Sequence, residues 1–219
     1  MHRKLELRPR TAALCLAALL AGPSATAGAA TLFINELHYD NDGTDVDEGV
    51  EVAGPAGTAL AGWELVFYNG SDAEPYKTVA LPDVILPDLG GGFGVAAVPV
   101  SGIQNGPDAV ALVDPQGGVA RLLSYEGSFT AVGGPADGQV SVDLGVAEAR
   151  SQALGLSLGL TGLGAAAADF VWSGSLAASF GAVNPGQTFA SPVPVPTAGL
   201  LLLSVAPVLA AVGRRRQAR

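Results

Sequence analysis

Ala109-Val110-Ala111-Leu112-Val113-Asp114-Pro115-Gln116-Gly117-Gly118-Val119-Ala120-Arg121-Leu122-Leu123-Ser124-Tyr125 is the stretch that decides the fold class. Two apolar runs flank a short turn signal. Proline presets φ at the first turn corner, and glycine reaches positive φ without a Cβ clash. The pattern predicts a β-hairpin over Ala109–Val113 and Val119–Tyr125. The same punctuation recurs on either side. Trp63–Tyr68 alternates, with Trp63, Leu65 and Phe67 on one face at period two, and Asn69-Gly70 reads as a tight turn after it. Leu32–His38, with Leu32 and Ile34 on one face, Gly49–Val52, Tyr76–Leu81 and Phe93–Val100 read as further short strands. Gln139–Leu144, Gln152–Leu158 and Asp169–Ser173 carry a fainter strand signal. No window between the two ends of the chain shows a capped helix of ten residues. About eight to ten short strands with Gly, Pro and Asn turns predict an all-β fold, an antiparallel β-sandwich.

The two ends of the 219-residue chain read differently. Residues 1–29 have the form of a secretory signal peptide. Arg3, Lys4, Arg8 and Arg10 precede the apolar run Thr11–Ala21, and Ala25-Thr26-Ala27 and Ala27-Gly28-Ala29 fit small-x-small cleavage. The single cysteine, Cys15, lies inside that apolar run. Cleavage therefore predicts a mature protein without disulfides, whose fold rests on core burial alone. Residues 191–219 begin as a spacer stiffened by Pro192, Pro194 and Pro196, continue as an apolar stretch, and end in Arg214, Arg215, Arg216 and Arg219. Thr197–Gly213 would form a helix of about 25 Å, at the short limit for crossing a hydrocarbon core of about 30 Å. The arginines would hold its C-terminus on the cytoplasmic side.

What lies between, residues 30–190, is strongly acidic. Four of the 11 basic residues fall in the leader and four in the tail, leaving Lys77, Arg121 and Arg150 against 19 carboxylates, a net charge near −16. Phosphate backbones would be repelled, which argues against direct nucleic-acid binding. About 160 residues suffice to bury about 70% of the unfolded surface in one core.

Val193-Pro194-Val195-Pro196, a short apolar helix and the arginine cluster, in that order, resemble the PEP-CTERM sorting signal of Gram-negative bacteria. Val195 stands where that signal most often has Glu. The resemblance implies transient anchoring in the inner membrane through the tail, processing by an exosortase-type enzyme after passage through the export machinery, and delivery to the outer envelope, the cell surface or the medium. A second resemblance spans most of the remaining chain. Ile34-Asn35-Glu36-Leu37, Glu48-Gly49-Val50-Glu51-Val52, Leu60-Ala61-Gly62-Trp63-Glu64-Leu65, Gln104 through Leu112, and Ala182-Val183-Asn184-Pro185-Gly186 are together similar to the lamin-tail domain in its bacterial secreted form. That resemblance implies an immunoglobulin-like sandwich over 30–190 and no catalysis.

The residues with chemical potential are few. Asp40, Asp42, Asp45, Asp47 and Glu48 crowd together, and Asp40-Asn41-Asp42-Gly43-Thr44-Asp45 has the alternating oxygen ligands and turn glycine of a calcium loop. An EF-hand it is not: Asp45 stands at the sixth place, where that loop needs Gly, and no helical pattern flanks it. Turn chemistry alone favours the same residues, so the competing reading is a solvated acidic connection between strands. His38 is the only histidine of residues 30–190, which excludes a His-rich zinc site. It reads as a partly exposed strand residue rather than the base of a serine hydrolase, since no Gly-x-Ser-x-Gly elbow accompanies it. Asp108 and Asp114 read as turn caps. Trp63, Phe67, Phe170 and Trp172 read as core rather than as sugar-stacking aromatics.

These readings converge on an exported, non-enzymatic β-sandwich module with a structural or adhesive role at the cell surface or in the extracellular matrix. Exopolysaccharide or surface proteins are its expected partners, and no catalytic residue or cofactor is expected apart from calcium in the alternative. That alternative is a calcium-dependent ligand- or carbohydrate-binding module. A further one is a secreted hydrolase built on carboxylates such as Glu36, Asp40 and Glu48.

Overall fold

The computed structural model describes residues 32–191. The leader expected over 1–29 lies outside the described residues, as do Val193, Pro194, Val195, Pro196, Arg214, Arg215 and Arg216 of the expected sorting signal. Among the described residues no helix is long and apolar enough to cross a membrane.

The described chain is all-β apart from one 3-10 turn at Ala167–Asp169. Its strands are β1 (Phe33–His38), β2 (Gly49–Pro55), β3 (Glu64–Asn69), β4 (Pro75–Ala80), β5 (Phe93–Pro99), β6 (Asp108–Val113), β7 (Val119–Tyr125), β8 (Val142–Asp143), β9 (Leu156–Gly164), β10 (Val171–Ala177) and β11 (Gln187–Phe189). They form two sheets. The larger runs β10-β9-β1-β2-β5, with β11 also pairing β9; the smaller runs β4-β3-β6-β7-β8. The expected sandwich was antiparallel throughout. Instead β8 runs parallel to β7, and β11 parallel to β9, so both sheets are mixed.

Period-two alternation explains the contact between the sheets. Ile34, Leu37, Val50 and Val52 from the larger sheet meet Leu65, Phe67, Val110, Leu112 and Tyr125 from the smaller in one buried cluster. Each such side chain contributes about 1.5–3 kcal/mol when fully withdrawn from water. Phe67 and Phe170 are buried as expected. Trp63 and Trp172 are only half-buried and pack against the core from its margin. On β1, Ile34 and Leu37 both reach the core although three residues separate them. A register shift between Ile34 and Glu36 changes the alternation there.

Both outer faces are covered too, the smaller sheet's by coil and the larger sheet's by the segment around the 3-10 turn and by β11. Phe129, Ala131 and Ala136 lie over Val66, Tyr68 and Leu122 of the smaller sheet. Phe170 and Phe189 lie over Phe33, Phe93 and Leu160 of the larger. All six residues of β1 are consequently buried.

The Asp114–Gly118 hairpin forms as expected. Asp114 Oδ1 accepts from the backbone N–H groups of Gln116 and Gly118, both at 2.8 Å, and Gly117 takes φ +83°. Asn69-Gly70 does not make a two-residue turn. The connection runs on to Glu74, with Asn69 N–H bonded to Glu74 O and Ala73 at φ +64°. Gly70 is required for a different reason: a Cβ there would lie 1.8 Å from Pro107 O. The faint strand expected at Gln152–Leu158 starts only at Leu156, because Gly155 at φ +75° turns the chain beforehand. β11 carried no strand signal; it is three residues long and held by parallel pairing to β9.

Candidate functional site

The acidic connection between β1 and β2 does not gather its carboxylates. Asp42 and Asp47 are exposed, and Asp47 sits at φ +57°. Asp45 Oδ1 accepts from Asn41 N–H at 2.9 Å. Glu48 turns the other way: its two oxygens accept from the N–H groups of Gly102 and Ile103 at 2.6 and 2.7 Å, fastening the loop to the chain after β5. Asp40 is buried, which pushes its carboxyl above the usual range, with the negative charges of Asp45, Glu148 and Glu126 adding to the effect. Among the described residues no three His, Cys, Asp or Glu side chains form a group able to hold a metal ion. Of the five residues proposed for calcium, Asp45 and Glu48 fasten the loop, Asp42 and Asp47 face water, and Asp40 is buried apart from them.

Beneath the loop lies a buried ion pair. His38, expected to be partly exposed, is 3% exposed, because the segment 144–152 folds across the end of β1. Its Nδ1 meets Glu148 Oε1 at 2.7 Å. Its Nε2 faces two acceptors, Val46 O at 3.1 Å and Asn41 Oδ1 at 3.2 Å. Acceptors at both nitrogens suit the doubly protonated ring. Burial works against that charge, but the hydrogen bond and charge of Glu148 outweigh it with help from Asn41 and Val46, raising His38 to about 8. The other oxygen of Glu148 accepts from Tyr39 and Asp40 N–H at 2.7 and 2.8 Å. One carboxylate therefore pins both the histidine and the start of the acidic loop. No serine or threonine hydroxyl bonds to either ring nitrogen among the described residues, so the arrangement lacks the nucleophile–base contact of a hydrolase.

A second buried polar cluster occupies the outer face of the larger sheet. Glu36 on β1 and Glu51 on β2 are register partners, 1% and 0% exposed. Glu36 Oε1 accepts from Ser157 Oγ at 2.6 Å and from Ser179 N–H at 2.8 Å. Glu51 accepts from Asn35 Nδ2 at 2.9 Å and from Gly181 N–H at 2.6 Å. Burial raises Glu51 to about 8; its two hydrogen bonds oppose the rise and the charge of Glu36 adds to it. Asn184 Nδ2 donates to the carbonyls of Asn35 and Leu160, both at 3.0 Å, and Gln187 Nε2 to Asn35 Oδ1 at 2.6 Å. Glu36 and Glu48 thus engage different partners, Asp40 bonds to Glu148 only through its backbone N–H, and the three do not converge.

Asp108 caps a turn as expected, accepting from Gly70 N–H at 2.9 Å, yet burial raises it to about 6 and leaves Oδ2 without a partner. Glu148, Asn184 and Gln187 escaped the sequence reading, as did the Glu36–Glu51 pairing. Their only signal was a polar side chain set among apolar strand neighbours, as in Ile34-Asn35-Glu36-Leu37 and Val50-Glu51-Val52. In comparisons with family models, with curated proteins and with solved structures, the chain matches none.

Proposed function

We propose that this protein is an exported, non-enzymatic module of the immunoglobulin-like, lamin-tail type, delivered by a PEP-CTERM-like tail and serving a structural or adhesive role at the cell surface or in the extracellular matrix. The single observation that carries this reading is the commitment of its buried polar side chains to the fold. His38 and Glu148 hold a loop, and Glu36, Glu51, Asn184 and Gln187 hold the covering of a sheet. Catalytic groups in contrast converge on a cleft that substrate can enter. Further support comes from the pieces that carry the lamin-tail resemblance. Asn35-Glu36 and Asn184-Pro185-Gly186 are about 150 residues apart, yet Asn184 bonds directly to Asn35 O.

The test is fractionation of cells making the full chain, with mass spectrometry of the recovered polypeptide. The expected product is found in the envelope or medium, begins near residue 30 and lacks the arginine cluster. An intact chain in the cytosol would overturn the export and sorting parts of the reading. Turnover of glycoside or ester substrates by the exported product, abolished in Glu148→Gln, would overturn the non-enzymatic part.

A further inference from the structure

The segment 178–187 crosses the outer face of the larger sheet as a strap. Its hold near Glu36 consists of Ser179 N–H at 2.8 Å and Ser179 Oγ at 3.1 Å; its hold on Glu51 is Gly181 N–H at 2.6 Å. Farther along, Asn184 and Gln187 grip Asn35. The two carboxylates beneath face each other across paired strands. Every other element around them is uncharged at that point. β9 offers Ser157, β5 offers Ala97 opposite Glu51, and the strap brings only backbone, serine and amide groups. Among the described residues the one ion pair is that of His38 and Glu148, so no cation compensates Glu36 and Glu51.

We propose that the strap is proton-latched: it stays down while Glu51, beside Glu36, holds a proton and lifts when that proton leaves. A proton on Glu51 removes one of two like charges that register sets side by side out of water. Stripped of it, two like charges remain in a site of low dielectric with only hydrogen-bond donors to offset them. Burial raises Glu51 to about 8, outweighing the hydrogen bonds from Asn35 and from Gly181 of the strap, which favour the charged form. Lifting the strap admits water to the pair and returns Glu51 toward its ordinary value. By linkage, removing the proton favours the lifted state. The segment leads through β11 to Ser191, so the latch controls how firmly the end of the described chain is tied to the sheet. This inference goes beyond the proposed function and does not depend on it.

Hydrogen exchange with mass spectrometry on the full chain tests it, at pH 6.5 and pH 9.5, with labelling times scaled for intrinsic exchange. Peptides covering 178–187 should lose protection at least tenfold at the higher pH while those covering Asp108–Val113 keep theirs. Glu51→Gln should hold the strap protected at both pH values. Glu36→Gln removes the other charge and should do the same, which keeps the test open if one variant fails to fold. Equal strap protection at both pH values in the unaltered chain overturns the proposal. So does loss that is the same in whichever Gln variant folds. Joint loss over 178–187 and Asp108–Val113 also overturns it, because the strap would then have no transition of its own.

Discussion

The acidic connection Asp40–Glu48 and the strands that flank it treat the same chemical group in opposite ways. In the connection, carboxylates are dense in sequence and dispersed in space: Asp42 and Asp47 face water, Asp45 caps its own loop, and Glu48 reaches across to Gly102 and Ile103. On the strands, Glu36 and Glu51 are isolated in sequence and brought together in space, out of contact with water. Crowding along a chain is relieved by solvent and costs little, because charges in water are screened. Pairing across strands is enforced by register, and burial then raises Glu51. Register, rather than closeness in sequence, is what sets Glu36 beside Glu51.

The largest test of this contrast lies where the two regions meet, at Glu148. Replacing it with Ala strands the buried His38 and leaves the N–H groups of Tyr39 and Asp40 without their acceptor. Breaking one side of a buried ion pair destabilises by about 3–5 kcal/mol. Urea unfolding of Glu148→Ala should show a loss in that range. A loss below about 1 kcal/mol would mean that the acidic loop is not held from beneath. Asn184→Ala should follow, with a loss of about 2–3 kcal/mol. It leaves two buried carbonyls, of Asn35 and Leu160, short of a donor, each costing about 1–3 kcal/mol if no water replaces it. Full stability in Asn184→Ala would show that the strap contributes nothing to the larger sheet.

Acidity should sharpen the same contrast. Asp108 rises from 3.8 to about 6, Glu51 from 4.5 to about 8, and His38 from 6.5 to about 8. In each case the folded state holds a proton that the unfolded chain releases at lower pH. The stabilising contribution is full below the unfolded value and is lost as pH rises through the folded one. Together the windows span about pH 4 to pH 8, and self-repulsion of the acidic domain acts in the same direction. The melting temperature should accordingly fall steadily between pH 5 and pH 8.5. Glu51→Gln should flatten the part of that fall below pH 8. A melting temperature that rises over this interval would show that Glu51 does not hold its proton in the folded state.

The architecture was legible where local rules act. The Asp114–Gly118 hairpin followed from proline and glycine at fixed turn corners, and β3 and β5 to β7 from apolar runs between turns. What escaped notice depends on partners distant in sequence. His38 looked exposed because nothing near it in sequence covers it; its cover is the segment around Glu148, 110 residues away. Gly70 looked like a turn former, whereas its role is close approach to Pro107. β11 is too short to carry a periodic signal, and its parallel pairing gives none, while β8 keeps only two residues of the faint strand expected at Gln139–Leu144. The calcium motif is the reverse case. Its residue types and spacing satisfy a local rule, yet the fold sends Glu48 to a different neighbour from Asp45.

The smallest effect belongs to the loop's exposed acids, and it decides whether the loop is a site. Asp42→Asn and Asp47→Asn keep the side-chain shape, and asparagine tolerates the left-handed backbone that Asp47 adopts at φ +57°. Neither substitution touches a buried partner, so each should change unfolding free energy by less than about 0.5 kcal/mol. Removing a charge from a crowded acidic run should, if anything, stabilise slightly. The same measurement in millimolar calcium and in a chelator separates the two readings of the loop. Identical melting curves are expected, because Glu48 is already spent on Gly102 and Ile103 and Asp45 on Asn41. A rise in melting temperature with calcium that disappears in Asp42→Asn would show that the cation draws these side chains away from their backbone partners. The loop, not the strand pair, would then be where the carboxylates act together.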